Sequence, residues 1–494
     1  MRPLEVRQRA REQALRDSLE AQETRLEALE RRLEEEISAS GRQLGVTAAA
    51  LGRRVDRIER LAERATALAQ PAPPDGILPP GSRVIVRGGV DGSSRAICSI
   101  GTGRYRELLS IASASFAAYA RRWNWDLVLS TEDLSDGRPA AWGKVRLVRE
   151  LLDAYKWVLY IDADACFVDT EVDLMASVES GKDLYLVEHR WGDPPQATAN
   201  SGVFLVRSGD WGRSLLEAMW AKEELIHHRW WENAALLELL GYDLEPAGPA
   251  RETSWMDRVK FLDLAWNSVR ADPAPRPIID HHGTGLPIRR LRELLLDDAA
   301  RLRRGPDRGV EALGDVWKRT QLPDALNALG LRGRAAEIGV HNGEFSELLL
   351  SRWEGEQLLS VDPWNPAGRS GEADEHERLH AEAQGRLAAF GPRSWIWRVS
   401  SEDAAPQVED ASLDFAYIDA QGDEASVERD LKLWWPKVRP GGVLAGYAYL
   451  DGELPTGTLG VKMAVDRFLS AERLPVHATD GDWPWPSWLV RKPG

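Results

Sequence analysis

The chain has 494 residues, more than one hydrophobic core usually serves, so roughly two to four domains are expected. Its 43% hydrophobic and 29% charged residues are those of an ordinary soluble protein, and a net charge of −15 argues against a general nucleic-acid binder, which needs clustered Lys and Arg. Cys98 and Cys166 stand far apart without a metal-ligand pattern, which fits a reducing compartment and no disulfide framework.

The N-terminus is charged from its second residue and shows no apolar signal core. No stretch reaches the roughly 18–20 apolar residues of a membrane span. A cytoplasmic location, with no membrane span, is therefore expected. From residue 1 to 70 the sequence is rich in Ala, Glu, Arg and Leu. Leu15, Leu19, Leu26, Leu29 and Leu33 recur at helical spacings, as do Leu51, Val55, Ile58, Ala62 and Ala65, with a break near Ser38 to Gly45. This predicts an N-terminal coiled-coil helix and, through it, a homo-oligomer. A single solvated helix or a helical hairpin is the alternative. A Pro/Gly linker over 71–82 follows.

Residues 83–300 alternate short apolar strands with helical patterns, which predicts an α/β domain with a largely parallel sheet. Strands are expected at Ala96 to Ile100, Trp125 to Ser130 and Trp157 onwards, with helices over Tyr105 to Arg122 and Lys144 to Tyr155. A charged, proline-spotted linker at 301–310 precedes a second α/β pattern over 311–494. The chain is thus read as multi-domain α/β. Its 21 tryptophans, many beside polar residues, suit sugar faces as well as cores.

The run WVLYIDADACFV, Trp157 to Val168, is an apolar strand ending in Asp162 and Asp164. Burying unpaired carboxylates is costly, and the i, i+2 spacing turns both to one face, where they suit a divalent cation bridging a diphosphate. Lys144 lies one helix upstream. ANSGVFLVR (Ala199 to Arg207), HHRWWENAALLELL (His227 to Leu240), AWNSV (Ala265 to Val269) and IIDHHGTG (Ile278 to Gly285) follow. In this order the features resemble the galactosyl/mannosyl/xylosyltransferase family typified by yeast α-mannosyltransferases and plant xyloglucan xylosyltransferases, over about 95–290.

The resemblance implies a GT-A (Rossmann-like) glycosyltransferase domain, a nucleotide-sugar donor, Mn²⁺ or Mg²⁺, and retaining transfer of a hexosyl or pentosyl group. Carried onto this sequence, Asp162, Asp164 and His282 would hold the metal. Lys144, Asp162, Asn200, Ser201 and Gly202 would line the donor and acceptor pocket. Taken alone, His281 and His282 fit a solvent-facing turn equally well; the H-x-x-G context selects His282. The family commonly places an acid after a Gln where this chain has Glu232 and Asn233, the residues expected to carry catalysis, so Glu232 either substitutes or the acidic role is absent.

In the second half, AEIGVHNGEF (Ala336 to Phe345) ends a strand, turns on glycines and opens a helix; SVD places Asp362 about twenty residues on, and YIDA places Asp419 at a later strand end. With WWPKVRPGG and GVKMAVD these motifs resemble class I S-adenosylmethionine-dependent methyltransferases of the bacterial O-methyltransferase-like group, over about 311–492. A C-terminal Rossmann-like methyltransferase domain is implied, with Glu337, Gly339, Gly343, Asp362 and Asp419 at the cofactor and Asp419 also catalytic. An NAD-binding domain is the alternative. Relatives often carry a His after YIDA and a GHDY tetrad; this chain has Gln421-Gly422-Asp423 and Gly446-Tyr447-Ala448-Tyr449.

The expected protein is a bifunctional enzyme that adds a sugar to a glycan or glycoconjugate acceptor and O-methylates that sugar or a neighbour. The alternative is a coiled-coil scaffold whose domains bind nucleotide-sugar or S-adenosylmethionine without one or both activities.

Overall fold

A computed structural model describes residues 77–88, 92–191, 196–244, 251–283, 286–302, 312–364, 373–455, 457–479 and 481–494. The expected coiled coil, half of the 71–82 linker and most of the 301–310 linker lie outside the described residues.

The first half contributes strands β1 (Arg83–Val86), β2 (Arg95–Ile100), β3 (Asp126–Ser130), β4 (Trp157–Ile161), β5 (Ala165–Phe167), β6 (Leu184–Trp191), β7 (Gln196–Arg207), β8 (Val259–Leu262), β9 (Ser268–Val269) and β10 (Ile279–His281). Between them run α1 (Tyr105–Trp123), α2 (Gly143–Leu151), α3 (Asp210–Trp220) and α4 (Trp231–Leu239), and α5 (Ile288–Leu302) follows. Alternating residues of the central strands enter opposite cores, as the strand period requires. Ile97, Leu159 and Ile161 pack with α1 and α5, whereas Cys98, Val158 and Tyr160 pack with α2, α3 and α4. All five residues of β4 are therefore buried, and β4 reads as an unbroken apolar run.

The second half adds β11 (Arg334–Ile338), β12 (Gln357–Val361), β13 (Ser394–Trp397), β14 (Leu413–Ile418), β15 (Val438–Gly446), β16 (Asp451–Leu454), β17 (Gly457–Gly460), β18 (His477–Ala478) and β19 (Trp488–Arg491). Its helices are α6 (Leu322–Ala328), α7 (Glu344–Arg352), α8 (Ala373–Leu387), α9 (Ser401–Ala404), α10 (Glu424–Trp434) and α11 (Val461–Glu472). The sheet order is β13-β12-β11-β14-β15-β19-β18, parallel from β13 to β15 and antiparallel beyond. The Gly-rich turn after β11 thus opens at the carboxyl edge of a Rossmann-like sheet.

Two expectations need correction. The first sheet, in order β17-β16-β1-β3-β2-β4-β7-β6-β8, is mixed rather than largely parallel. Only β3-β2-β4 and β6-β8 run parallel, because β7 returns antiparallel to both β4 and β6. A three-stranded sheet, β5-β10-β9, sits beside it.

Nor do the halves separate at 301–310. The β16–β17 hairpin from the second half joins the first sheet, with Arg83 opposite Glu453, Val84 opposite Gly452 and Ile85 opposite Asp451. Leu450 is fully buried in the first half's core. Residues 78–82 are likewise built in rather than loose: Leu78 is fully buried, and Thr131 N–H donates to the Ser82 carbonyl at 2.8 Å. Among the described residues no helix is long and apolar enough to cross a membrane.

Candidate active sites

The first site forms where β4 ends. Tyr160 hydroxyl donates to Asp162 Oδ1 at 2.9 Å, and Lys144 Nζ, on α2, lies 2.8 Å from the same oxygen. Lys144 also reaches Glu232 Oε1 on α4, at 3.0 Å, and Ser201 hydroxyl donates to that oxygen at 3.1 Å. Asn233 Oδ1 accepts the Ser201 N–H at 2.8 Å. Asn200 Oδ1 accepts the Gly202 N–H at 2.8 Å, so the strand edge expected to line a sugar pocket is held by its own neighbours.

The expected third ligand, His282, is displaced by one residue. His282 Nε2 lies 2.7 Å from Oδ2 of the buried Asp298 on α5. His281 instead meets the pair: its Nε2 is 3.5 Å from Asp164 Oδ1 and 3.8 Å from Asp162 Oδ2. The cause is strand alternation. His281 pairs with Ala165 across β10 and β5, directly after Asp164, and its neighbour therefore faces the other way. Single ligand atoms of Asp162, Asp164 and His281 all lie within 4.8 Å of one another.

The donor set fits a divalent cation. His281 Nδ1 is 2.8 Å from Asn267 Oδ1, an oxygen that can only accept, so the neutral ring carries its proton on Nδ1 and turns the Nε2 lone pair toward the aspartates. Asn267 Nδ2 donates in turn to Asn200 Oδ1 at 3.0 Å. Gly202 completes the fit: a Cβ there would lie 2.2 Å from His281 Cε1 and 2.8 Å from Asp162 Oδ2.

Asp162, Asp164 and Glu232 gather around Lys144, with His281 beside the two aspartates. Burial would strip Lys144 of its proton, but Asp162 and Glu232 outweigh it and hold the pKa above the ordinary lysine range. Burial lifts Glu232, only partly offset by Lys144. Burial likewise disfavours charge on Asp164, yet His281 and Lys144 keep its pKa below the usual carboxylate value. Burial opposes a charged His281, and the two aspartates overcome it and raise its pKa. Asn267 and Tyr160 are the site residues to which sequence reading gave no role; Asn267 stands inside the singled-out AWNSV segment, without a pattern to reveal its partner.

The second site lies at the carboxyl ends of β11, β12 and β14. Gly339 takes φ +88°, and a Cβ there would sit 2.0 Å from the Asp419 carbonyl oxygen. Gly343, at φ +82°, caps α7. Asp362 Oδ2 accepts the N–H groups of Val340 and His341 at 2.8 and 3.0 Å, and Oδ1 accepts that of Trp364 at 2.8 Å. Asp362 therefore shapes the turn with both oxygens. Glu337 is fully buried and accepts a short hydrogen bond from Ser346; burial pushes its pKa up to about 8. Asp419, Gln421, Gly422, Tyr447, Ala448, Leu459 and Trp485 line a cavity of about 200 Å³. Asp423 turns away from this cavity's chemistry: it caps α10 by accepting the Ser426 N–H at 3.0 Å.

Residues 137–276 match the family model of a nucleotide-diphospho-sugar transferase, and residues 336–446 match that of a methyltransferase domain. The chain carries a glycosyltransferase domain and a methyltransferase domain. Similar curated proteins include probable glycosyltransferase 6 of Oryza sativa subsp. japonica, 31% identical over 112 residues, which is 21% of this chain and 23% of that one. Xyloglucan 6-xylosyltransferase 1 of Arabidopsis thaliana is 29% identical over 159 residues, 31% of this chain and 33% of that one. The chain thus matches between about a quarter and a third of the length of these relatives. Among solved structures, an O-methyltransferase from Bacillus cereus is 17% identical with a TM-score of 0.27, covering 35% of this chain and 80% of that one. A glycosyltransferase involved in glycosylation of the major capsid of PBCV-1 is 13% identical with a TM-score of 0.31, covering 41% of this chain and 98% of that one.

Proposed function

We propose that the first domain transfers a hexosyl or pentosyl group from a nucleotide-sugar to a glycan or glycoconjugate, with retention, and that the second O-methylates that sugar or a neighbour using S-adenosylmethionine. The observation that carries the first part is the convergence of Asp162, Asp164 and His281 beside the buried Lys144–Glu232 pair. Mn²⁺ or Mg²⁺ held by these three residues would neutralise charge on the departing nucleoside diphosphate. Lys144 and Tyr160 fix the Asp162 carboxylate. Asn200, Ser201 and Gly202 present a strand edge to the sugar. Glu232 Oε2 is buried and has no hydrogen-bond partner among the described residues, which leaves a carboxylate oxygen to stabilise positive charge developing at the anomeric carbon. Asn233 holds that edge through the Ser201 N–H.

In the second domain Gly339 and Gly343 shape the cofactor turn, Glu337 and Asp362 brace it, and Asp419 borders the acceptor cavity, where it would orient and deprotonate a hydroxyl. The stacked Tyr447 and Trp485 rings, 6.4 Å apart, offer an apolar face beside polar Asp419 and Gln421, a surface that suits a sugar ring. The protein is further proposed to be cytoplasmic and to self-associate through residues 1–70. A second reading, cofactor binding without methyl transfer, is favoured by one observation: Ala448 stands in the tetrad and Asp423 is consumed as a helix cap.

A panel of nucleotide-sugars assayed with Mn²⁺ and Mg²⁺ for nucleoside diphosphate release, with Asp164→Ala as control, tests the first activity; no release from any donor would refute it. Labelled methyl transfer to the sugar product in one pot decides between methylation and binding alone.

A further inference from the structure

Arg319 lies ahead of the segment that matches the methyltransferase model, in no motif, yet it is fastened to that domain's cofactor edge. Its own N–H donates to Asp482 Oδ2 at 2.6 Å. Gln321 Oε1 accepts the N–H groups of Trp317 and Lys318 at 2.8 and 3.0 Å, and Gly481 N–H donates to the Trp317 carbonyl at 2.7 Å. The backbone is pinned on both sides of the arginine.

The guanidinium carbon stands 4.7 Å from the Tyr447 ring centre and 5.4 Å from that of Phe345. Its side chain is 24% exposed, so it is largely covered yet still in reach of solvent. Asp419 Oδ2 is 3.7 Å from Nη1, beyond hydrogen-bond length, so this carboxylate does not saturate the donors.

Beside this cation stand Glu337, Asp362 and Asp419, at the ends of β11, β12 and β14; Asp362, Asp419 and Arg319 all act on the charge of Glu337. Such an arrangement suits a ligand of mixed charge. S-adenosylmethionine carries a sulfonium and an α-ammonium, which the Asp362 and Asp419 carboxylates attract, and an α-carboxylate, which they repel. Tyr417 takes one hydrogen bond from the Arg319 side chain; the donors left beside it match a carboxylate in two parallel hydrogen bonds, as a planar guanidinium does.

We propose that Arg319 binds the α-carboxylate of the methyl donor and, by anchoring that end, orients the methionine arm along the turn at Gly339. The inference rests on the cofactor-binding reading of the second site. It adds a residue that neither the turn motif nor the matched segment contains.

Titration calorimetry on the full-length chain tests it with two ligands: S-adenosylmethionine and its decarboxylated form, which lacks only the carboxylate. The parent protein binds the decarboxylated form more weakly. Arg319→Gln weakens S-adenosylmethionine by roughly tenfold to a hundredfold, the range of charge-assisted hydrogen bonds, and leaves the decarboxylated ligand within about twofold. The difference between the two ligands thereby disappears, as a coupled pair requires. Equal weakening of both ligands would make Arg319 a structural brace and overturn the proposal, as would unchanged S-adenosylmethionine affinity. If Arg319→Gln fails to fold, Arg319→Lys, which keeps the charge but not the fork, is expected to lose affinity for the intact cofactor alone. A parent protein that binds neither ligand would overturn the cofactor reading itself.

Discussion

Gly202→Ala is the sharpest perturbation of the first site, because it adds one methyl and changes no charge. The backbone at 202 does not adopt the left-handed region that favours glycine, so the effect is steric. The new Cβ would stand 2.2 Å from His281 Cε1, and ordinary contact begins at 3.4 Å; the two must separate by their difference, 1.2 Å. The ring has no easy retreat: Asn267 holds Nδ1 at 2.8 Å, and β10 is bonded on both sides, to β5 and β9. The same methyl presses on Asp162 Oδ2 and Asn200 Oδ1, each at 2.8 Å. Misplacement of a reacting or ligating group by about 1 Å costs on the order of a hundredfold. Mn²⁺ affinity by calorimetry and metal-dependent nucleoside diphosphate release should both fall by about that factor, roughly 2.7 kcal/mol. A thermal melt reports whether the fold survives, and binding is compared only on folded protein. Metal affinity and turnover within about threefold of the parent would refute the assignment of His281 to the cation.

Lys144→Met strands the buried Glu232 carboxylate and the half-buried Asp162; loss of about 3–5 kcal/mol in urea unfolding, with donor turnover abolished, is expected. Glu337 sets a pH dependence: its pKa is about 8 folded against an ordinary 4.5, so the native state binds more protons between these values. Stability contributed by this group is therefore lost as pH rises from 4.5 to 8, and Glu337→Gln should flatten the urea midpoint over that window. Gly452→Val places a side chain where even a Cβ would lie 2.3 Å from the Arg83 carbonyl oxygen; calorimetry should show a lower melting temperature, with about 1–3 kcal/mol lost.

Much of the first site was legible because its chemistry interrupts a pattern. Two aspartates closing a buried strand, and a lysine on the preceding helix, stand out against the apolar background that covering on both faces imposes. Asn200 to Gly202 stood out likewise as a polar turn before an apolar run. His281 and His282 could not be separated the same way. His281 closes a three-residue strand and His282 follows it; the two differ only in face, and the face depends on pairing with β5, which spacing does not encode. Asn267 and Arg319 escaped for a related reason: each acts through partners far along the chain, at His281 and Asp419. In the second domain the turn glycines were legible, since Gly339 must approach the Asp419 backbone and Gly343 takes a positive φ. Asp362 shows the limit of motif reading, because its offset fits a ribose-binding acid while its oxygens already accept three backbone N–H groups.

The β16–β17 hairpin bears on how the two activities are related. Leu459, on β17, lines the cavity beside Asp419, and its strand pairs with β16, which pairs with β1 in the first sheet. One wall of the second cavity is thus fastened by backbone hydrogen bonds to the scaffold of the first. Leu450 adds a fully buried side chain at the same junction, worth about 1.5–3 kcal/mol of burial. Cutting the chain near 311 would leave β1 and β16 as unpaired edges, the arrangement that invites aggregation, and would loosen the wall that Leu459 provides. A flexible tether alone would raise the local concentration of one domain's product at the other. A shared sheet does more: it holds the cavity beside Asp419 to the first sheet through paired strands.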